Sequence, residues 1–202
     1  LRMVRAGDTA SDFIAPAVSG EAADELALFR LVEAHDAVAL LFAPATFVPA
    51  CTAEFAAVRD AGWGDRDDLA AVALTGDSLY AAFAYADRFN LPFPVVADFH
   101  GGVAESYDLL AESWEGHSDI PRRAAVVIDG DWTVRFTAAT EDALDRADPA
   151  PVQRATEALR AVGVATAWPR VGHDGGGGGR RRRRPDPRPP AAPGVVGGAA
   201  AA

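Results

Sequence analysis

Two runs of seven residues, AVALLFA at 37–43 and LAAVALT at 69–75, constrain this chain more than any other feature. Neither alternates apolar with polar residues, so neither suits a strand with one wet face. Each is short, aliphatic and bounded by Asp, Pro or Gly, which reads as a strand buried on both faces. A sheet of that kind needs helices on both sides to cover it. The sequence supplies them. DELALFRLVEAH (24–35) sets Leu28, Leu31 and Val32 along one side, and a second helix is expected from Cys51 to Arg59. SLYAAFAYADRF (78–89) reads as a helix with Ser78 as its N-cap. A small helix is expected over 101–107, and a final one over 149–162 with Pro149 and Pro151 at its start. Residues 7–20 read as extended and FPVVAD (93–98) as a short strand. RAAVVID (123–129) and WTVRFTA (132–138) read as a hairpin around Gly130-Asp131. The expected class is an α/β layered sheet.

The character of the chain changes after Trp168. Residues 1–168 are long enough for one domain with a substantial core. Residues 169–202 are rich in Gly, Arg, Pro and Ala, a low-complexity composition that cannot build a core and is expected to be disordered. This tail reads as an extension without a role, the alternative being an arginine-rich arm for an acidic partner. All 19 basic residues are arginine, and residues 1–174 carry 28 acids against 13 arginines, a formal charge of −15. Such a surface is a poor nucleic-acid binder and suits a cytoplasm of high ionic strength. A GC-rich genome gives the same Ala, Gly, Arg and Asp bias. No run reaches the roughly 18 to 20 apolar residues that cross a bilayer, and the opening LRMVRAGDTASDF lacks the apolar core of a secretory signal. A soluble cytoplasmic protein is the expectation.

Cys51 is the single cysteine in 202 residues. One sulfur excludes an internal disulfide, a CxxC redox pair and a zinc cage, so any cysteine chemistry needs an outside partner. Cys51 follows a strand and a loop bracketed by Pro44 and Pro49, at the start of a helix. The free N–H groups there favour a thiolate, the reactive form. A small buried hydrophobe is the other reading of a lone cysteine, and from the residues alone both stand. His35, His100, His117 and His173 show no metal-ligand spacing and read as loop or surface residues. The run GGGGG lies in the tail, away from any strand–helix unit, and makes no phosphate loop.

FAPATFVPACTAEF (42–55) resembles the active-site segment of the peroxiredoxins, F-x-P-x-x-x-T-x-x-C-T-x-E, with Phe42, Pro44, Cys51, Thr52 and Glu54 in register. Three further stretches agree in order. AGDTASDF (6–13) is similar to the family's opening G-x-x-A-P-D-F, with Ser11 where proline is usual. LTGDSLYAAFAYADRFNLPFPVVADFHGGVAESYDL (74–109) resembles its D-S segment, L-P-F-P-x-x-x-D and tyrosine-ended helix, and RAAVVID its R-x-x-F-V-I-D strand. The resemblance covers roughly residues 4–162. It implies a thioredoxin-like fold with a central mixed sheet flanked by helices, and a thiol peroxidase acting on hydrogen peroxide or organic hydroperoxides. Together with the acidic surface it points to a halophilic archaeal source.

On the same resemblance Cys51 is the peroxidatic cysteine, attacking the O–O bond and becoming a sulfenic acid. Arg123 holds the thiolate and the transition-state charge. Pro44 shields Cys51. Glu54 either orients Arg123 or is an exposed first-turn acid that stabilises the helix dipole, and Thr52 belongs to the same motif. Val48 departs from the pattern, since the family has threonine there, whose hydroxyl hydrogen-bonds sulfur and peroxide. Losing such a donor costs on the order of 100-fold in rate. A catalytically degenerate redox sensor or binding protein is therefore the alternative function. No flavin, haem or metal is implied. With no second cysteine, the implied reductant is an external thiol, from a thioredoxin-like protein or a small molecule, and a homodimer is plausible.

Overall fold

The computed structural model describes residues 3–144 and 150–165. The segment read as a disordered tail, 169–202, lies outside the described residues, as does His173. The chain opens with β1 (Ile14–Ser19) and β2 (Ala22–Ala27), then α1 (Leu28–Ala34), β3 (Ala37–Ala43) and α2 (Pro49–Asp60). After a short 3-10 turn (Trp63–Asp65) come β4 (Leu69–Thr75), α3 (Leu79–Phe89), β5 (Val95–Ala97) and α4 (Gly102–Ser106). A hairpin of β6 (Leu110–Trp114) and β7 (His117–Pro121) precedes β8 (Ala124–Asp129), β9 (Val134–Ala139) and α5 (Pro151–Ala161).

Seven strands form one mixed sheet in the order β2-β1-β5-β4-β3-β8-β9. β3, β4 and β5 run parallel at its centre, and β1 and β8 flank them antiparallel. Every residue of β3 and of β4 is buried. The reason is visible in the two cores. Ala37, Ala39, Leu41 and Ala43 face α2, α3 and α5, where they meet Phe55, Val58, Tyr85, Ala155 and Leu159. Val38, Leu40 and Phe42 point the other way, onto Leu28 and Val32 of α1 and onto Val103 and Tyr107. With period-two alternation and helices on both faces, a continuous apolar run is what the strand requires.

Some boundaries differ from expectation. The helix read over 24–35 begins only at Leu28, because Ala22–Ala27 pair with β1 as an edge strand whose Asp24 and Glu25 lie in solvent. α2 starts at Pro49, two residues early, since a proline at the first helical position loses no hydrogen bond. The strand and small helix read over 93–98 and 101–107 shorten to β5 and α4, and the final helix begins at Pro151. The second strand of the expected hairpin moves from 132–138 to 134–139, Trp132 turning the chain at φ 62°. The β6–β7 hairpin was not expected, as its strands are largely polar and half-exposed. Its turn carries Glu115 and Gly116, both at positive φ (50° and 81°), as a two-residue hairpin loop demands. Ser78 does cap α3, accepting from the Ala81 N–H at 3.4 Å.

Leu41, fully buried under α2, tests the packing. Leu41→Ala should cost about 2–5 kcal/mol, seen as a lower urea midpoint with an unchanged m-value.

Candidate functional site

β3 ends at Ala43, and its carboxyl end delivers the chain through Pro44–Val48 into α2. Pro44 is buried, and its carbonyl oxygen lies 2.7 Å from where a Cβ on Gly76 would stand, so only glycine lets the exit of β4 pass this close. Thr46 anchors the loop, its N–H and its hydroxyl both donating to one carboxylate oxygen of Asp77 at 2.7 Å. Phe47 follows in the left-handed region (φ 62°), an unfavoured conformation for a side chain of this size. Its ring meets Tyr85 edge-on, with centroids 5.1 Å apart.

Cys51 is the third residue of α2 and is 1% exposed. Val48, the N-cap, offers no side-chain hydroxyl, and its carbonyl accepts from the Thr52 N–H at 2.8 Å. Glu54, one turn beyond Cys51, is buried as well. Arg123 stands immediately before β8, which the antiparallel pairing of Phe42 with Ala124 brings beside the end of β3. There the Arg123 Nε donates to Glu54 Oε2 at 2.9 Å, with the two side chains only 4% and 6% exposed. The Arg123 carbonyl in turn accepts from the Thr140 N–H at 2.9 Å. Glu54 is therefore not an exposed first-turn acid: it is buried against Arg123.

The electrostatics of Cys51 depart from the simple helix-start argument. Burial is the largest influence and pushes the thiol up to about 12; Glu54 raises it further, while Arg123 and a backbone N–H act to lower it. The favourable charges are present, but desolvation outweighs them. Burial thus acts in favour of the thiol form of Cys51. Glu54 Oε1 is also buried and has no hydrogen-bond partner.

Sequence reasoning missed two contributors. Tyr85, 1% exposed, donates from its hydroxyl to Thr52 Oγ1 at 3.0 Å, and burial pushes its own ionisation up to about 12. It sits on the apolar stripe of α3 beside Ala82 and Ala86, where a tyrosine reads as plain core. The Thr46–Asp77 clamp joins positions 31 residues apart, which no local pattern signals. Of the described histidines, His35 bonds the Leu31 carbonyl, while His100 and His117 are exposed. Among the described residues no cluster could hold a metal ion.

Because the thiol stays protonated well above neutrality, alkylation of Cys51 by iodoacetamide should accelerate steadily from pH 7 to 10 without a plateau. Glu54→Gln should move that profile to lower pH and Arg123→Leu to higher pH. A plateau near pH 7 in the unaltered protein contradicts the assignment.

Comparison with known proteins places these features in a family. No protein of curated function matches the sequence. Among solved structures, the peroxidoxin BcpB of Mycobacterium tuberculosis superposes with a TM-score of 0.64 at 24% identity, over 78% of this chain and 96% of that one. AhpC of Enterococcus faecalis gives 0.66 at 19% identity, over 80% and 95%. The yeast mitochondrial 1-Cys peroxiredoxin gives 0.63 at 18% identity, over 80% and 78%. The fold is thus the thioredoxin-like fold of the peroxiredoxins. The AhpC/TSA family profile matches residues 6–137, and the chain belongs to that family.

Proposed function

We propose that the protein is a thiol peroxidase that reduces hydrogen peroxide or organic hydroperoxides through Cys51. The observation that carries this reading is the Arg123–Glu54 pair beside the single cysteine, out of solvent at 2.9 Å. A buried ion pair loses hydration that its attraction only partly returns, so such a pair is weak support for stability alone. Next to a nucleophile it has a use. Arg123 stabilises negative charge on sulfur and on the peroxide oxygen as it develops, and Glu54 holds the guanidinium in place. Pro44 and Val48 shield the sulfur.

Sulfur attacks the terminal peroxide oxygen, leaving Cys51 as a sulfenic acid and releasing water or an alcohol. With one cysteine in the chain, the sulfenic acid is returned to the thiol by an external reductant. The yeast 1-Cys relative resolves its thiol via glutathione and thioredoxin systems, and a thiol of that class is the partner proposed here. Cytoplasmic residence, a homodimer and a high-salt source remain part of the proposal, the last supported by the acidity of residues 1–174. No helix among the described residues is long and apolar enough to cross a membrane.

Val48 removes one donor from the site without removing the nucleophile or its cation. The test is peroxide consumption at high salt with dithiothreitol or a thioredoxin system as reductant. Turnover should vanish in Cys51→Ser and rise in Val48→Thr by up to about 100-fold. Consumption no faster than that of a free thiol, in both the unaltered protein and Val48→Thr, overturns the enzyme reading and leaves a sensor or binding protein.

A further inference from the structure

The family's motif carries a threonine hydroxyl where this chain has Val48, which is buried at the N-cap of α2 and brings no donor. The sheet beneath holds a hydroxyl with nothing to bond. Thr75, the last residue of β4, is fully buried, and its Oγ1 has no hydrogen-bond partner among the described residues. It is paired in register with Ala43, the last residue of β3. Side chains alternate along a strand, so Thr75 points to the same face as Ala71 and Ala73, the face on which Val48, Cys51 and Phe55 pack. The hydroxyl thus lies beneath the helices, at the strand ends from which the Cys51 loop departs. Other hydroxyls around the site are committed: Thr46 donates to Asp77, Tyr85 to Thr52 and Thr140 to the Arg123 carbonyl. A buried hydroxyl left unpaired has a cost, and native folds keep few of them.

Resting on the peroxidase reading above, we propose that Thr75 is a catalytic hydrogen-bond donor: its hydroxyl bonds the leaving oxygen of the hydroperoxide and does the work that Val48 cannot. That oxygen gains negative charge as the O–O bond breaks, and a donor already aimed at it costs no reorganisation. The sheet order supports the division of labour. Arg123 reaches the site from β8, on one side of β3, and Thr75 from β4, on the other. A cation and a neutral donor then flank the strand that leads to Cys51. The hydroxyl gives up neither proton nor electron, so the S–O bond forms and the O–O bond breaks as described above.

A donor of this kind separates from a packing residue because stability and rate respond with opposite signs. Thr75→Val keeps the branched shape and removes only the hydroxyl. Its urea midpoint should hold or rise, since an unpaired buried group is gone. Single-turnover oxidation of its Cys51 by hydrogen peroxide should slow by roughly 100-fold. Alkylation by iodoacetamide, which carries no peroxide oxygen, should keep its rate, and Thr75→Ser should oxidise at close to the parent rate. Val48→Thr should gain more speed in the Thr75→Val background than in the unaltered protein, because one donor substitutes for the other. Unslowed oxidation or a lowered urea midpoint in Thr75→Val overturns the assignment. So does equal slowing in Thr75→Ser, alkylation that slows in step with oxidation, or the same Val48→Thr gain in both backgrounds. Failure of the peroxidase reading shows separately, as oxidation no faster than a free thiol in both the unaltered protein and Val48→Thr, and takes this inference with it.

Discussion

Glu54 and Arg123 meet at 2.9 Å with hardly any solvent around either, and they come from segments 69 residues apart. One sits on the first turns of α2 and the other at the entry to β8. Their meeting depends on β8 running antiparallel beside β3, so that the start of one strand lies at the end of the other. That pairing in turn depends on β3 being buried on both faces. A guanidinium and a carboxylate removed from water need a rigid frame, because breaking such a pair by deleting one partner costs about 3–5 kcal/mol. The central strands and the helices packed on them provide that frame.

Cys51 shows what shielding does to a nucleophile. Two influences favour its thiolate: Arg123 and a backbone N–H at the helix start. Burial and Glu54 oppose them and prevail. The site thus trades readiness for protection. Cys51 is 1% exposed, so the sulfur is kept from bulk solvent. The loop that leads into α2 is held by specific means, with Thr46 tied to Asp77 and the Phe47 ring set edge-on to Tyr85.

Much of this was legible in the sequence, for identifiable reasons. β3 and β4 match their apolar runs residue for residue, since burial on both faces leaves no room for a polar interruption. Ser78 announced the start of α3 because a cap is a local interaction. β2 was hidden because an edge strand exposed on most of its length, AADELA, has the composition of a helix. The β6–β7 hairpin was hidden for the same reason. At the site, Cys51, Pro44, Thr52, Glu54 and Arg123 were named from the resemblance to the family's motifs, and the structure puts Glu54 against Arg123. The state of the thiol was not legible, because the position of Cys51 at a helix start shows the helix dipole but not the depth of burial. Tyr85 was lost to the pattern that correctly placed α3, where a residue on the apolar stripe advertises packing and conceals its hydroxyl.

Whether the buried pair serves catalysis is decided by the speed at which peroxide oxidises Cys51 in a single turnover. Purified protein at high salt is mixed with hydrogen peroxide, quenched from milliseconds to minutes, and the sulfenic acid is trapped and read by intact mass. The expected result is oxidation far faster than that of a free thiol, confined to Cys51 and absent in Cys51→Ser. Oxidation at the pace of a free thiol would contradict the peroxidase reading, leaving the ion pair beside Cys51 without a catalytic purpose.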